Sequence, residues 1–374
     1  MCYAFGMVIA APLPVPREKT PANLLTLSLT MAEALVRDLG WPRHKAQQIL
    51  HWLYKKRVRD IERMTDLSRA DRAMLASQNE IRRLHCDQVL ESTDGTKKLA
   101  ARLEDGLLVE CVMIPDGKRL TLCISTQVGC TLDCRFCLTA TIGLTRNLQA
   151  YEIVDQVLMV QDQLGAHDTL TSLVLMGMGE PLANLDAVKE AIARLTNPIW
   201  GVGIPARRIT LSTAGFASRL EDVAELDINL AVSLNATTPA QRRQLMPTID
   251  RLFSLDTLLE ACRRYPLPPR RRLTFEYVLL SGVNDSDQDA KRLTKLLAGM
   301  RCKVNLIPFN EFEGSPFTRP DDAAVLRFQS ALKRVGIPTF IRKSKGRDVL
   351  GACGQLGRLM PQPPAILTPA GAGC

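Results

Sequence analysis

Three cysteines in the stretch GCTLDCRFC constrain this chain more than any other feature: Cys130, Cys134 and Cys137. Their spacing is CxxxCxxC, with Phe136 just before the last. Closely spaced thiolates of this kind hold iron–sulfur clusters. Three local thiolates leave one iron of a four-iron cluster without a protein ligand. An open iron can chelate a small molecule through amino and carboxylate groups. Two plainer readings compete. One is a zinc site, but structural zinc takes four Cys or His ligands, and the chain has 4 His, none near this run. The other is three ordinary thiols in a chain of 11 cysteines. This spacing in a loop after a strand favours the cluster.

At 374 residues and 46% hydrophobic content, the chain is long enough for one large domain plus an accessory piece. Its net charge of +9 fits a polyanionic partner such as nucleic acid. The cysteines lack the even framework of a small secreted domain and fit a reducing cytosol. The opening MCYAFGMVIAAPLPVP lacks a basic start and is broken by prolines, so no signal peptide is expected. No apolar run reaches the ~18 residues of a membrane span. The closing PQPPAILTPAGAGC reads as a loose tail.

From about Leu27 to Leu84 the pattern is helical. In RHKAQQILHWLYKKRVRDIERM, Ile49 and Leu53 stand four apart with Leu50 and Tyr54 alongside, and Lys55, Lys56, Arg57 and Arg59 fall mostly on other faces. Ser68 followed by Asp71 reads as a capped helix start. From about Gln88 the period turns toward two, and Asp94-Gly95, Asp105-Gly106 and Asp116-Gly117 separate short strand-like runs. This predicts a β-meander leading into a first core strand, Arg119 to Ser125. Strands are then expected at Leu170–Met176, Arg208–Ser212, Ile228–Ser233, Leu273–Leu279 and Cys302–Ile307. Helices lie between them, for example Tyr151–Leu164, Leu185–Leu195 and Asp287–Leu297. Repeated βα units imply a parallel sheet with outer helices. Six of them suggest a partial barrel, with its chemistry at the C-terminal strand ends.

The informative residues do follow the strands. After the first comes the cysteine loop. After the second comes GMGEP, whose glycines allow close backbone approach and whose Glu180 suits an ammonium. It matches neither the dinucleotide nor the phosphate-loop pattern. LSTAG carries Ser212, SLNA carries Ser233, and NLIPFN carries Asn310. Polar groups at one sheet edge are what a ribose and an amino acid moiety require.

Taken in order, GCTLDCRFC, GMGEP, LSTAG, SLNA, NLIPFN and ACGQL resemble the RNA adenine-C2 methyltransferases of the radical S-adenosylmethionine (SAM) class, the RlmN-like family. The likeness runs from roughly Trp41 to Leu356. It implies an α/β fold, a partial (βα)6 radical-SAM barrel with a small N-terminal helical accessory domain and a β-meander linker. The division it suggests is a flexible extension 1–25, a helical RNA-binding domain 26–87, a meander linker 88–118, a barrel 119–345, a catalytic cysteine loop 346–358 and a flexible tail 359–374. By resemblance, Cys130, Cys134 and Cys137 bind a [4Fe-4S] cluster with exchangeable SAM. SAM contacts carry over to Gly179, Glu180, Ser212, Ser233, Leu234, Asn235 and Asn310. Asn235 stands where the family commonly has His, and still offers a donor and an acceptor.

The resemblance also gives Cys353 the methyl-carrying role, Cys123 that of its resolving partner in a disulfide, and Glu110 that of proton acceptor. Without it these would read as a C-terminal thiol, a buried core thiol and an ordinary strand carboxylate. Carbon 2 of adenine is electron-poor and is no nucleophile, so ordinary SAM methyl transfer fails and a radical route is needed. In the family's scheme a methylated cysteine adds to adenine through a covalent protein–RNA intermediate. Thiol attack then releases the product and leaves a disulfide for an external reductant. The implied partners are 23S ribosomal RNA, tRNA and an electron-donor protein, for a cytoplasmic monomer away from membranes. Lys55, Lys56, Arg57, Arg270, Arg271, Arg272, Lys343 and Lys345 are the candidate phosphate contacts. Competing readings are the sister adenine-C8 methyltransferase, a radical-SAM enzyme for a small molecule or peptide, and a zinc-bearing RNA-binding module.

Overall fold

The computed structural model describes residues 21–165 and 168–357. The expected tail 359–374, and the expected extension up to residue 20, lie outside the described residues.

The N-terminal part is a small helical unit. Strand β1 (Ala22–Asn23) pairs in parallel with β2 (Asn79–Glu80), which brackets helices α1 (Leu29–Asp38), α2 (His44–Tyr54) and α3 (Arg69–Ala76). Leu24 and Leu25 are fully buried, so an extension ending at residue 25 would cut into this core. Ser68 and Asp71 form a reciprocal capping box at the start of α3. Ile49, Leu50, Leu53 and Tyr54 form the buried face of α2. The helix stops sooner than its sequence pattern suggests. The N–H groups of Lys55 and Lys56 both bond the His51 carbonyl, and Arg57 turns to φ 54°. Asp162 then accepts Arg57 Nε at 2.9 Å and Arg59 Nη2 at 3.1 Å, drawing the segment onto the main domain.

The main domain is built on one ten-stranded sheet. Strands β3 (His85–Glu91), β4 (Lys97–Arg102), β5 (Leu108–Asp116) and β6 (Arg119–Cys123) form the antiparallel meander. A separate hairpin, β7 (Gln127–Gly129) with β8 (Leu144–Asn147), carries the cysteine loop and the short α4 (Leu138–Ile142). Parallel strands β9 (Ser172–Leu175), β10 (Ile209–Thr213), β11 (Asn229–Ser233), β12 (Leu273–Leu279), β13 (Cys302–Pro308) and β14 (Thr339–Ile341) continue from β6 in that order. The edges are β14 and β3, so the barrel stays open. The connections are α5 (Ala150–Gln161), α6 (Leu185–Thr196), α7 (Leu220–Ala224), then α8 (Pro239–Leu245), α9 (Pro247–Leu252) and α10 (Leu255–Arg264), then α11 (Asp287–Leu296) and α12 (Asp322–Arg334).

The parallel strands are mostly buried, with polar residues such as Thr210, Ser212 and Asn305 set among the apolar ones. Helix α5 is buried from Tyr151 to Val160 because the helical unit packs over it. A buried Arg83–Asp155 ion pair and Arg194, which bonds Leu25 O and Tyr54 Oη at 2.8 Å each, fasten the two parts together. The parallel strands place the cysteine loop, GMGEP and the ends of LSTAG, SLNA and NLIPFN at one rim. Arg270, Arg271 and Arg272 precede β12 and stand at the opposite end of the sheet. Arg271 is paired there with Asp227 at 2.9 Å.

Candidate active site

The cysteine loop is pinned through backbone groups and the Asp133 carboxylate, and Cys130 Sγ accepts Leu132 N–H at 3.4 Å. Cys130 N–H bonds Gly143 O at 3.0 Å, closing the hairpin. Gly129 sits at φ 79°, and a Cβ there would fall 1.8 Å from the Gly143 oxygen, so no other residue fits before Cys130. Arg135 N–H bonds Leu245 O at 3.0 Å, and Asp133 accepts Thr248 N–H at 2.9 Å.

Gln127 braces the next loop. Its Oε1 accepts Glu180 N–H at 3.0 Å and Thr131 N–H at 3.2 Å, joining GMGEP to the cysteine loop. Gly179, at φ 101°, has Gln127 atoms within 2.8 Å of where a Cβ would stand. Glu180 is buried. Its carboxylate accepts Leu182 N–H at 3.0 Å and Ala214 N–H at 2.7 Å. Burial pushes its pKa up to about 7 against those bonds. A cationic amino group arriving beside it would restore the charged form.

Around these loops lies an open-mouthed cavity. Cys130, Cys134 and Cys137 form one wall, with Gly179 and Glu180 beside them. Ser212, Ser233 and Asn235 form another, where the two serine hydroxyls lie 3.4 Å apart. Asn310 and Cys353 close the side opposite. Asn235 adopts φ 54°, accepts Val278 N–H at 2.8 Å and donates to Met246 Sδ at 3.6 Å. Its amide therefore holds the ends of β11 and β12 as well as facing the cavity. Leu234 differs from the sequence expectation: its side chain is fully buried in the main core and does not line the cavity.

A second cavity adjoins the first. It is lined by Val112, Cys123, Met176 and Leu356, with Arg342, Lys343 and Lys345 at its basic side. Cys353 and Asn310 belong to the walls of both. Cys353 is exposed, whereas Cys123 is buried and burial pushes its thiol pKa up.

Glu110 lines neither cavity. It is fully buried, 3.4 Å from Lys98 Nζ, and accepts Gly357 N–H at 3.0 Å. Lys98 in turn donates to Leu350 O at 3.3 Å. The pair clamps both ends of the Cys353 segment to the meander. Asn310 Nδ2 bonds Cys353 O at 3.1 Å, and Leu138 N–H bonds Gly354 O at 2.7 Å. Glu110→Gln leaves Lys98 facing a neutral amide. It is expected to cost about 3 kcal/mol of folding stability, the scale for breaking a buried ion pair. Denaturant unfolding checks this.

Two cavity residues carry no sequence motif. Glu276, inside the apolar run LTFEYVL, reaches the cavity from β12 and accepts Asn305 Nδ2 at 2.9 Å. Burial raises its pKa, and Arg342 on the shared rim opposes that. A lone carboxylate in a core strand was the available signal, but nothing in the sequence placed it beside the cysteines.

The residues present suit a four-iron cluster with SAM. Three thiols face one cavity, its open mouth admits a nucleoside, and Asn310 Oδ1 is buried without a hydrogen-bond partner. Among the described residues, no group of three His, Cys, Asp or Glu is placed to hold a single metal ion. An open parallel barrel with a CxxxCxxC loop at its C-terminal rim defines a radical-SAM enzyme. Residues 124–294 match the radical SAM superfamily, and residues 22–81 match the ribosomal RNA large subunit methyltransferase N-terminal domain.

A protein of Syntrophobacter fumaroxidans named dual-specificity RNA methyltransferase RlmN is 47% identical over 337 residues, 90% of this chain and 98% of its own. One of Syntrophus aciditrophicus with the same name is 46% identical over 335 residues, 89% of this chain and 96% of its own. The crystal structure of a radical SAM methyltransferase from Sphaerobacter thermophilus superposes with a TM-score of 0.83 at 41% identity, covering 90% of this chain and 99% of that one. The chain belongs to the RlmN family, and is a SAM-dependent RNA methyltransferase that uses a [4Fe-4S] cluster.

Proposed function

We infer that this enzyme methylates C2 of adenosine in 23S rRNA and in tRNA, with Cys353 as the methyl carrier and Cys123 as the resolving thiol. The observation that carries the reading is the position of Cys353 in the wall shared by the two cavities. A methyl group received on the cluster side is thereby delivered to the side holding Cys123. The C2 assignment, over the adenine-C8 alternative, is supported by the relatives named RlmN.

Cys130, Cys134 and Cys137 would hold the cluster. Glu180, Ser212, Ser233, Asn235 and Asn310 would hold SAM, with Gly179 letting its backbone approach. Bound there, cluster and SAM supply the methyl group and the one-electron chemistry that an electron-poor carbon demands. The target adenine must leave its stack to enter the second cavity. Lys343 and Lys345, which line that cavity, would hold its phosphates. Cys123 thiolate attacks the Cys353 sulfur. The C2 hydrogen leaves as a proton, the bond from sulfur to the transferred carbon breaks, and its electron pair takes up a proton on the freed carbon. A Cys123–Cys353 disulfide remains for an external thiol to reduce.

The placement of Glu110 supports a positioning role over direct proton removal. The nine cysteines among the described residues are free thiols, which suits a reducing cytoplasm. The reading includes a monomer served by an electron-donor protein.

The test is nucleoside mass spectrometry of rRNA and tRNA from a host lacking its own C2 enzyme, with and without this gene. New 2-methyladenosine in both RNA classes is expected. The 8-methyl isomer, or neither, would overturn the assignment.

A further inference from the structure

We propose that Arg242 is a positioning residue of the cluster site, which locks the strand-end peptides to the cysteine loop and offsets the cluster's negative charge from the layer that packs against the cysteines. The inference rests on the reading that Cys130, Cys134 and Cys137 hold a cluster.

Arg242 lies in α8 and is fully buried. Its Nη2 donates to Ala214 O at 3.0 Å, and Nη1 reaches Leu234 O at 3.4 Å. These carbonyls end β10 and β11. Ala214 also donates its own N–H to Glu180, so the guanidinium holds the residue whose donor orients that carboxylate. On its other side, α8 is bolted to the cysteine loop. Arg135 N–H bonds Leu245 O at the end of α8, and Thr248 N–H at the start of α9 bonds Asp133. Arg242 therefore sits where the SAM-side strands and the cysteine loop are joined.

Its charge is poorly compensated by the protein alone. Nε is buried without a hydrogen-bond partner. The nearest carboxylate, Asp250, stands 3.9 Å from Nε, too far for a hydrogen bond. Asp250 is also shared with the exposed Arg243 at 3.5 Å. Burial of an unpaired cation is costly. Ala214, whose carbonyl accepts Nη2, belongs to the apolar cluster against which Cys130, Cys134 and Cys137 pack. Burial disfavours the charged guanidinium, and Asp250, Cys134 and Cys262 oppose that. Three thiolates on a four-iron core carry net negative charge that grows by one on reduction. A fixed buried cation beside that charge favours the reduced state and raises the potential.

The experiment is an EPR-monitored redox titration of reconstituted holoenzyme, with iron and sulfide assayed in every sample. Arg242→Met should move the cluster midpoint to a more negative value. Asp250→Asn, which removes the competing carboxylate and leaves Arg242 in place, should move it the opposite way. Arg242→Lys, which keeps the charge, should stay near the wild-type potential. Full iron content with the wild-type midpoint in both Arg242→Met and Asp250→Asn would sink the proposal. If Arg242→Met fails to hold iron, an unshifted midpoint in Asp250→Asn alone overturns it. Wild-type protein that binds no iron or sulfide would instead remove the cluster reading on which the proposal stands.

Discussion

Cys353→Ala is expected to purify with full iron and sulfide and to form no methyladenosine. The loop holding residue 353 is fastened through backbone groups: Cys353 O to Asn310, Gly354 O to Leu138 and Gly357 N–H to Glu110. None of these bonds involves the Cys353 sulfur, so removing it leaves the loop and both cavities standing. What disappears is the atom proposed to carry the methyl group across the shared wall. Loss of a covalent nucleophile removes catalysis by a factor on the order of 10⁶, which places product at background. Normal product from this variant would end the carrier assignment, and iron analysis distinguishes that result from a lost cluster.

Cys123→Ala is expected to do the reverse, keeping the early steps and trapping the enzyme on its RNA. Cys123 packs with Val112, Met178 and Leu356 in a small apolar cluster, and removing one sulfur there leaves a small void. The expected stability cost is about 1 kcal/mol, small enough for the protein to remain folded. In the proposed scheme methyl transfer to Cys353 does not need Cys123, but release of RNA does. A band shifted on a denaturing gel should therefore appear and vanish on nuclease treatment. If Cys353 becomes methylated and no adduct forms, the resolving role belongs elsewhere. Double substitution at 123 and 353 should form neither adduct nor product, because the carrier acts first.

The meander shows how far local chemistry reaches. Asp94-Gly95, Asp105-Gly106 and Asp116-Gly117 each turn the chain with the glycine at positive φ, and the strands between them pair in sequence order. The long core strands were equally legible, because a strand covered on both faces reads as a continuous apolar run. Leu273–Leu279 agrees at both ends. The two-residue β1 and β2 and the three-residue β14 were not anticipated. Strands so short carry no periodicity, and the sheet edge or helical unit they join selects them. Helix α2 stops at Tyr54 for a similar reason: Asp162, about a hundred residues away in sequence, captures Arg57 and Arg59.

The site divides along the same line. Spacing and motif order in the sequence by itself determined the cysteine loop, GMGEP and the serine and asparagine strand ends, because a parallel sheet brings successive strand ends to one rim. Only the tertiary structure decided which side each neighbouring group faces. It turned Leu234 into the core, put Arg270 to Arg272 at the far end of the sheet, and brought Glu276 and Arg342 to the cavity. It sealed Glu110 against Lys98 and buried Arg242 against the Ala214 and Leu234 carbonyls. Those outcomes depend on burial and on partners distant in sequence, and a buried charge shows its role only when the group that balances it is in place.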